Sequence, residues 1–368
     1  MSFSTLYSDI LPQISRINPI TYGKTRNYID GEVTRLSPYL ARGVLSTRGI
    51  ALNLLSRGFQ LSEMEVLLKE LAWRDYYQLV WKNKLDLNQD LRFPQQGVQH
   101  RALPEAVLKA QTGIESIDRA IQELYATGYM HNHLRMYVAM LACNVGGSHW
   151  LTPARWMYYH LYDADWASNA LSWQWVAGSF SSKKYYANQE NINRFTYSRQ
   201  RSTFLDMDYD SLEQASVPTV LQNTLFPELK VELPVSTRPV INPDLPIYLY
   251  HFYNLDPNWG HELKANRILL LEPDFFAQFP ISQQSMSFFL KLAQNIPNVQ
   301  IVVDSFDQFE ARFAPTPIHF KEHPSARHYR GIRHERDWLF PEITGYFPSF
   351  FKFWKAAEKH IESLVNAL

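Results

Sequence analysis

The chain has 368 residues, of which 46% are hydrophobic and 20% charged, as in a folded globular protein and not a disordered one. Its formal net charge is zero, so composition alone does not indicate a nucleic-acid partner, although a local basic patch would suffice for one. The single cysteine, Cys143, excludes a disulfide framework and a four-cysteine iron–sulfur cluster. The sequence shows no signal peptide and no bilayer-spanning apolar stretch, so we expect a cytoplasmic protein with no membrane partner.

Apolar residues recur at helical spacing through the first part of the chain, up to about residue 200. The stretch SEMEVLLKELAWRDYYQLVWKNK predicts a long amphipathic helix that opens with a capping box of Ser62 and Glu65. Further helices are expected over residues 115–128, 131–146 and 152–178, each of which ends at a glycine. We therefore expect an all-helical domain over residues 1–215.

The pattern changes after this helical part. Proline recurs over residues 216–246, which predicts a linker or wrapping segment. Three short apolar runs of strand type follow, PIYLYHF, RILLLEPDF and VQIVVDSF, with a predicted helix between the last two. This order predicts a small α/β domain with parallel strands over residues 247–368, closed by an aromatic-rich C-terminal helix. The predicted fold class is mainly α.

Common cofactor and metal motifs are missing from the sequence. No GxGxxG follows a predicted strand, and neither a GxxxxGK[ST] phosphate loop nor an HExxH metal pair occurs, so we expect no metal site. The basic run KEHPSARHYRGIRHER near the C-terminus has two interpretations, an anion or nucleic-acid patch and an ordinary solvated loop.

The segment DADWASNALSWQW, residues 163–175, combines three tryptophans with two aspartates and an asparagine. On a helix, Asp165, Asn169 and Trp173 fall at positions i, i+4 and i+8 and share one stripe. An aromatic wall with hydrogen-bonding groups suits a large flat ligand with polar edges. A buried helix with a satisfied polar network is the alternative, and composition does not decide between them.

Four sequence blocks, in this order, resemble the FAD-binding domain of the photolyase/cryptochrome family. They are Tyr22 and Arg26 followed by VTRLSPYLARGVLS, then ELAWRDYY, then TGYMHNHLRM, and finally DADWASNALSWQW. From the first block to the last, they span roughly half of the chain. In that family an α/β antenna domain usually comes first, whereas here the α/β segment follows the helical part and resembles a piece of such a domain.

The resemblance implies a bound FAD and assigns residues to it. Asp165 would accept the flavin N3 hydrogen, Asp163 would pair with Arg135 at the flavin edge, and Asn169 would face flavin N5. Asparagine has no ionisable proton to donate, which favours a repair flavin over a signalling one. The remaining cofactor residues implied by the resemblance are Tyr22, Thr34, Arg35, Leu36 and Ser37 near the pyrophosphate, together with Arg74 and Ala164.

The resemblance also implies a pocket for a flipped pyrimidine dimer in single- or double-stranded DNA. Trp73 and Trp175 would stack on the unpaired bases. The other implied substrate residues are Glu70, Asn132, Met136 and the phosphate-contacting Arg26. Glu70 would also act in catalysis by stabilising the radical anion that develops on the substrate.

Electron transfer to the flavin would run through tryptophans. Trp173 matches the member of the chain nearest the flavin and Trp150 the next one. The expected distal position falls near Gly97, where the sequence has no tryptophan. Either Trp156, Tyr158 or Trp166 takes over, or photoreduction is inefficient.

The function that we predict is FAD-dependent, light-driven repair of cyclobutane pyrimidine dimers by a photolyase-like lyase. Asn169 and the predicted pocket favour this function. A cryptochrome-like photoreceptor or flavin redox sensor is the alternative, and a light-independent FAD-binding relic is a third hypothesis. The missing distal tryptophan and the zero net charge favour the photoreceptor or sensor and the light-independent relic over repair.

Overall fold

The structure is a computed structural model that describes residues 3–84 and 86–366. The α-helices, in chain order, are α1 (Tyr7–Ile14), α2 (Pro19–Thr25), α3 (Ser37–Ala41), α4 (Thr47–Ser56), α5 (Leu61–Asn83), α6 (Glu105–Leu108), α7 (Glu115–Thr127), α8 (Asn132–Met140), α9 (Leu151–His160), α10 (Trp166–Ala177), α11 (Gln189–Thr196), α12 (Tyr209–Gln214), α13 (Thr219–Gln222), α14 (Pro273–Gln278), α15 (Gln283–Ala293), α16 (Phe306–Phe313), α17 (Phe350–Ala357) and α18 (Ile361–Val365). The strands are β1 (Leu103–Pro104), β2 (Thr224–Leu225), β3 (Ile247–Tyr250), β4 (Asn266–Leu271), β5 (Gln300–Val303), β6 (Ile318–Lys321) and β7 (Ile332–His334). The described residues are therefore mainly helical with a small sheet, as the sequence predicts.

Two compact units are built from interleaved segments of the chain. Residues 24–33 and 86–229 form the first, which we call the helical unit. Residues 3–23, 34–84 and 230–366 form the second, which we call the mixed unit. The sequential division at residues 215 and 246 stays a prediction.

The helical unit is organised around α8, which packs against α7 and α10, while α10 also packs against α9. In α7 the buried residues Ile117, Ala120, Ile121 and Leu124 recur at the spacing of one helix face. Both α7 and α10 end at a glycine in the left-handed conformation, Gly128 with φ 68° and Gly178 with φ 80°. The helix α8 continues into a π-helical turn, Leu141–Val145.

The mixed unit contains a five-stranded sheet in the order β5-β4-β3-β6-β7, with every neighbouring pair parallel. One face of the sheet packs against Phe306 and Phe309 of α16, and the buried residues there include Leu249, Ile268 and Val302. Parallel strands are usually buried on both faces, and β3 and β4 are buried along their whole length. The three strands expected from sequence are present, and β6 and β7 add to them.

Two local expectations from sequence are wrong. The helix α5 begins at Leu61, and the carboxylate that caps it is Glu63, whose Oε2 accepts the backbone N–H of Gln60 at 2.8 Å. Ser62 and Glu65 therefore lie inside the helix and do not form the cap. The expected all-helical part also contains β1, which pairs antiparallel with β2.

Among the helices of residues 3–84 and 86–366, none combines the length and the apolar character needed to cross a bilayer.

Candidate functional site

The N-terminus of α10 carries the aspartates of the predicted flavin site. Asp165 is the N-cap of the helix, and its Oδ1 accepts the backbone N–H of Ser168 at 2.8 Å. The residue is 2% exposed, so its negative charge lies in a buried setting at the positive end of the helix dipole. Ala164 is buried beside it. The helix expected over residues 152–178 is therefore two helices, α9 and α10, because Asp165 caps a new helix start.

Asp163 and Arg135 form the ion pair that the resemblance implies. Arg135 Nη2 donates to Asp163 Oδ2 at 3.0 Å, and Arg135 Nε donates to the carbonyl of Met130 at 2.8 Å. Asp163 Oδ1 is buried and has no hydrogen-bond partner among the described residues. A buried carboxylate oxygen without a donor is unfavourable, so this atom is suited to a donor from a bound ligand.

Asn169 lies one turn further along α10 and is half-buried. Its Nδ2 donates to the carbonyl of Ala154 in α9 at 2.8 Å, which fixes the orientation of the amide. Trp173 follows another turn later and is 2% exposed. Asn169 and Trp173 thus share one face of α10, and Asp165 lies just before this helix as its N-cap.

Two further tryptophans of the helical unit are fully buried and have different partners. Trp150, the N-cap residue of α9, donates its indole N–H to Asp90 Oδ1 at 2.7 Å. Trp156 donates its indole N–H to the hydroxyl of Tyr125 at 3.1 Å. The expected distal position of the electron route falls near Gly97, a glycine in the left-handed conformation with φ 70°.

The predicted DNA-contacting residues of the helical unit gather around the N-terminus of α8. Asn132 is the first residue of that helix and is exposed, whereas Met136 is half-buried. Burial, aided by the positive charges of His131 and Arg26, lowers the pKa of His133 to about 4. Arg26 is therefore near this helix end, and His133 is neutral at pH 7.

Trp175 is the tryptophan of α10 that reaches solvent. It is 36% exposed, and the centroid of its indole lies 5.9 Å from that of the Tyr185 ring. Trp173, two residues earlier, points to the other side of the helix and is buried. Trp175 is thus available for contact with a ligand, as a stacking residue must be.

The predicted phosphate-binding stretch belongs to the mixed unit. Thr34 Oγ1 accepts the backbone N–H of Leu36 at 3.4 Å, and Arg35 adopts the left-handed conformation with φ 53°. Ser37 begins α3, which has only five residues, so the helix dipole there is weaker than the predicted phosphate role would prefer. Tyr22 is half-buried in α2.

Glu70, Trp73 and Arg74 lie half-buried on α5 in the mixed unit. The indole of Trp73 is stacked on the ring of Phe350, with centroids 3.8 Å apart and planes 8° from parallel. One face of this predicted base-stacking residue is thus already covered. The sequence predicts the C-terminal helix but contains no signal for where its aromatic face packs.

The basic run near the C-terminus is largely ion-paired. Arg330 contacts Asp307 at 2.6 Å and also pairs with Glu310. Arg333 pairs with Glu335 at 3.1 Å, and Arg336 with Glu322 at 3.0 Å. Of the two interpretations, these pairs favour an ordinary loop over a nucleic-acid patch. Across residues 3–84 and 86–366, no group of three or more His, Cys, Asp or Glu side chains is placed to hold a metal ion.

Comparison with known proteins identifies the kind of domain to which these residues belong. Residues 67–206 match the family model described as the FAD binding domain of DNA photolyase. A deoxyribodipyrimidine photo-lyase of Thermus thermophilus is 35% identical over 164 residues, which is 43% of this chain and 38% of that protein. The corresponding protein of Vibrio cholerae is 34% identical over 167 residues, covering 43% of this chain and 36% of that protein.

A cryptochrome DASH from Ostreococcus tauri is 32% identical over 208 residues, which is 52% of this chain and 34% of that protein. A solved cryptochrome structure from Synechocystis matches with a TM-score of 0.46 and 26% identity, covering 53% of this chain and 44% of the other. The chain therefore spans well under half the length of these curated relatives.

The matched region is a photolyase-type FAD-binding domain, as the sequence resemblance predicts. The chain is similar to proteins of the photolyase/cryptochrome family over about two fifths of its length. The roles of the individual site residues stay predictions.

Proposed function

We propose that this protein is an FAD-dependent enzyme that uses light to repair cyclobutane pyrimidine dimers in DNA. The observation that carries the proposal is the Arg135–Asp163 pair with its unpartnered carboxylate oxygen, next to Asp165 at the start of α10. These groups lie inside the region that matches the FAD binding domain of DNA photolyase. The relatives named deoxyribodipyrimidine photo-lyase support this choice of substrate.

The residues of the helical unit fit a flavin. Asp165 supplies an acceptor for the flavin N3 hydrogen, and Asp163 Oδ1 supplies a second buried acceptor. Arg135, held by Asp163 and by the Met130 carbonyl, presents a fixed positive charge. Asn169 offers an amide at N5 that has no ionisable proton. Bound FAD would supply the light-driven electron, which no amino-acid side chain provides.

The same unit offers groups that suit a flipped, damaged base. Trp175 presents an exposed indole for stacking, Asn132 an exposed amide for a base edge, and Arg26 a positive charge for a phosphate. Met136 adds an apolar, adaptable contact. The assignments of Glu70, Trp73, Arg74, Tyr22 and residues 34–37 in the mixed unit stay predictions that rest on the resemblance.

A flavin photoreceptor without repair activity is the second candidate. Two observations favour it: Phe350 covers one face of Trp73, and the chain has no net positive charge to attract DNA. The similarity to a cryptochrome DASH is consistent with this candidate.

Flavin binding is tested by Asp165→Asn. Asparagine caps a helix as well as aspartate does, so the variant keeps the start of α10 and removes only the negative charge. Asp208→Asn is the matched control, because Asp208 Oδ1 likewise accepts the backbone N–H of Ser211, at 2.8 Å, as the N-cap of α12. We expect one FAD per chain in the wild type and in the control, and at least tenfold weaker binding in Asp165→Asn. Equal FAD affinity in both variants would contradict the role of Asp165.

A further inference from the structure

The indole N–H of Trp150 donates a hydrogen bond to the carboxylate of Asp90. Its Nε1 lies 2.7 Å from Asp90 Oδ1, a distance typical of hydrogen bonds to an ionised acceptor. Asp90 Oδ2 accepts the backbone N–H of Gln95 at 2.9 Å, which holds the carboxylate in place. The side chain of Asp90 is 23% exposed, whereas Trp150 is fully buried. Asp90 thus connects a buried indole to solvent.

A second buried indole of the same unit has no such partner. Trp156 donates to the phenol of Tyr125, and burial raises the pKa of that phenol to about 12. The phenol is neutral at pH 7 and is a poor proton acceptor. The structure therefore distinguishes Trp150, the second member of the expected electron route, from Trp156, one of the residues expected to replace the distal member.

We propose that Asp90 is the proton acceptor that ends the electron-transfer route at Trp150. This inference rests on the proposed function, in which bound FAD would supply the light-driven oxidant and Trp173 would pass the electron to it. When Trp150 gives an electron to oxidised Trp173, its indole N–H becomes far more acidic, and a nearby carboxylate is able to accept the proton. The N–H bond then breaks and an O–H bond forms on Asp90 Oδ1. Trp150 is left as a neutral radical and Asp90 as a neutral carboxylic acid.

This proton transfer makes a short electron route workable. The electron cannot return to Trp150 as a simple charge recombination, because the proton has to return with it. The proton can move on to solvent, because the Asp90 side chain is 23% exposed. A distal tryptophan near Gly97 is then not required.

The test compares Asp90→Asn with the wild type as FAD-loaded proteins. Asparagine keeps an acceptor oxygen for the indole but cannot take its proton. After a laser flash, transient absorption distinguishes the neutral tryptophan radical from the cation radical. We expect the neutral radical in the wild type, and in the variant a cation radical that recombines at least tenfold faster. Tyr125→Phe, the matched change at Trp156, is expected to behave as the wild type.

Two outcomes overturn the inference in different ways. If Asp90→Asn forms the neutral radical as fast as the wild type, Asp90 is not the acceptor, and the proposed function stands. If the FAD-loaded wild type forms no tryptophan radical at all, the proposed electron route fails and the inference fails with it.

A second measurement needs no flavin. In the NMR spectrum of the full chain without FAD, the indole proton of Trp150 is assigned by its loss in Trp150→Phe. We expect Asp90→Asn to shift this resonance upfield and to speed its exchange with solvent, because the charged acceptor is lost. An unchanged resonance would show that the hydrogen bond to Asp90 is not formed in solution.

Discussion

The indole of Trp73 and the ring of Phe350 stack face to face, 3.8 Å apart between centroids. Both residues belong to the mixed unit, and Phe350 begins α17. Phe353 of the same helix lies 5.6 Å from the Tyr76 ring, so α17 packs along α5 through several aromatic side chains. A residue expected to stack on a DNA base thus already has an aromatic partner on one face.

Phe350→Leu is expected to free this face of Trp73. If Trp73 stacks on a base there, the variant should bind a single-stranded oligonucleotide with a pyrimidine dimer about tenfold more tightly, because one base–aromatic stack contributes roughly 1–3 kcal/mol. Fluorescence anisotropy titrations measure the affinity. Phe351→Leu is the matched control, since Phe351 is the next residue and is 80% exposed. Equal affinities for the two variants and the wild type would mean that no base stacks on this face.

Trp175→Ala is expected to weaken binding of the same oligonucleotide by tenfold or more, because it removes an exposed indole from the helical unit. Tyr197→Ala in the same unit is the control, as Tyr197 is 61% exposed but lies outside the predicted pocket. Competition with undamaged DNA shows whether the loss is specific for the dimer. If Trp175→Ala binds the dimer as tightly as Tyr197→Ala does, Trp175 is not part of the pocket.

Arg135→Met is expected to destabilise the protein by about 3–5 kcal/mol, because it leaves the buried carboxylate of Asp163 without its cation. Adding Asp163→Asn to this variant should recover part of the lost free energy of unfolding. Lys109→Met is the control, since Lys109 and Glu105 form an exposed pair worth less than about 1 kcal/mol. Urea unfolding of the four proteins gives the free energies. A cost for Arg135→Met no larger than that of the control would show that Asp163 is not held as a buried ion.

Stability should also depend on pH through Asp75. Its carboxylate is buried and accepts the backbone N–H of Leu339 and the hydroxyl of Thr47 at 2.7 and 3.1 Å. Burial raises its pKa from 3.8 to about 6, although these hydrogen bonds and the charges of Arg336 and Arg74 act in the opposite direction. Because the folded pKa is the higher one, the stabilisation from this group is complete below the unfolded pKa and is lost as pH rises through about 6.

Asp75→Asn removes this titration. A pKa difference of about two corresponds to about 3 kcal/mol, so the stability of the variant relative to the wild type should rise by up to that amount between pH 4 and pH 7. Urea unfolding at a series of pH values measures the difference. If the difference between variant and wild type is the same at every pH, Asp75 does not titrate in this range.

Local patterns in the sequence predicted the longer helices, but not the break between α9 and α10 and not the contacts between distant residues. The spacing of Asn169 and Trp173 predicts their shared helix face, because a helix repeats every 3.6 residues. The stack of Trp73 on Phe350 and the bond from Trp150 to Asp90 join residues far apart in the chain, and periodicity contains no information about such pairs.

The errors in the predicted start of α5 and in the strands near the sheet edge also arise because local patterns do not decide them. Ser62 and Glu65 fit the capping pattern, but the cap lies two residues earlier and consists of Gln60 and Glu63. The strands β6 and β7 were missed because IHFK and IRH mix charged and apolar residues near an edge of the sheet, where neither face needs to be fully apolar.

Light-driven reversal of a pyrimidine dimer by the FAD-loaded protein tests the proposed function most directly. The measurement follows a dimer-containing oligonucleotide, single-stranded and duplex, under blue or near-ultraviolet light, with a dark sample as the control. We expect reversal only in the light, and at least as fast in single strands, because flipping costs least there and the chain has no net positive charge to favour duplex phosphates. Bound FAD with no dimer reversed in either form of DNA would contradict the proposal and favour the photoreceptor.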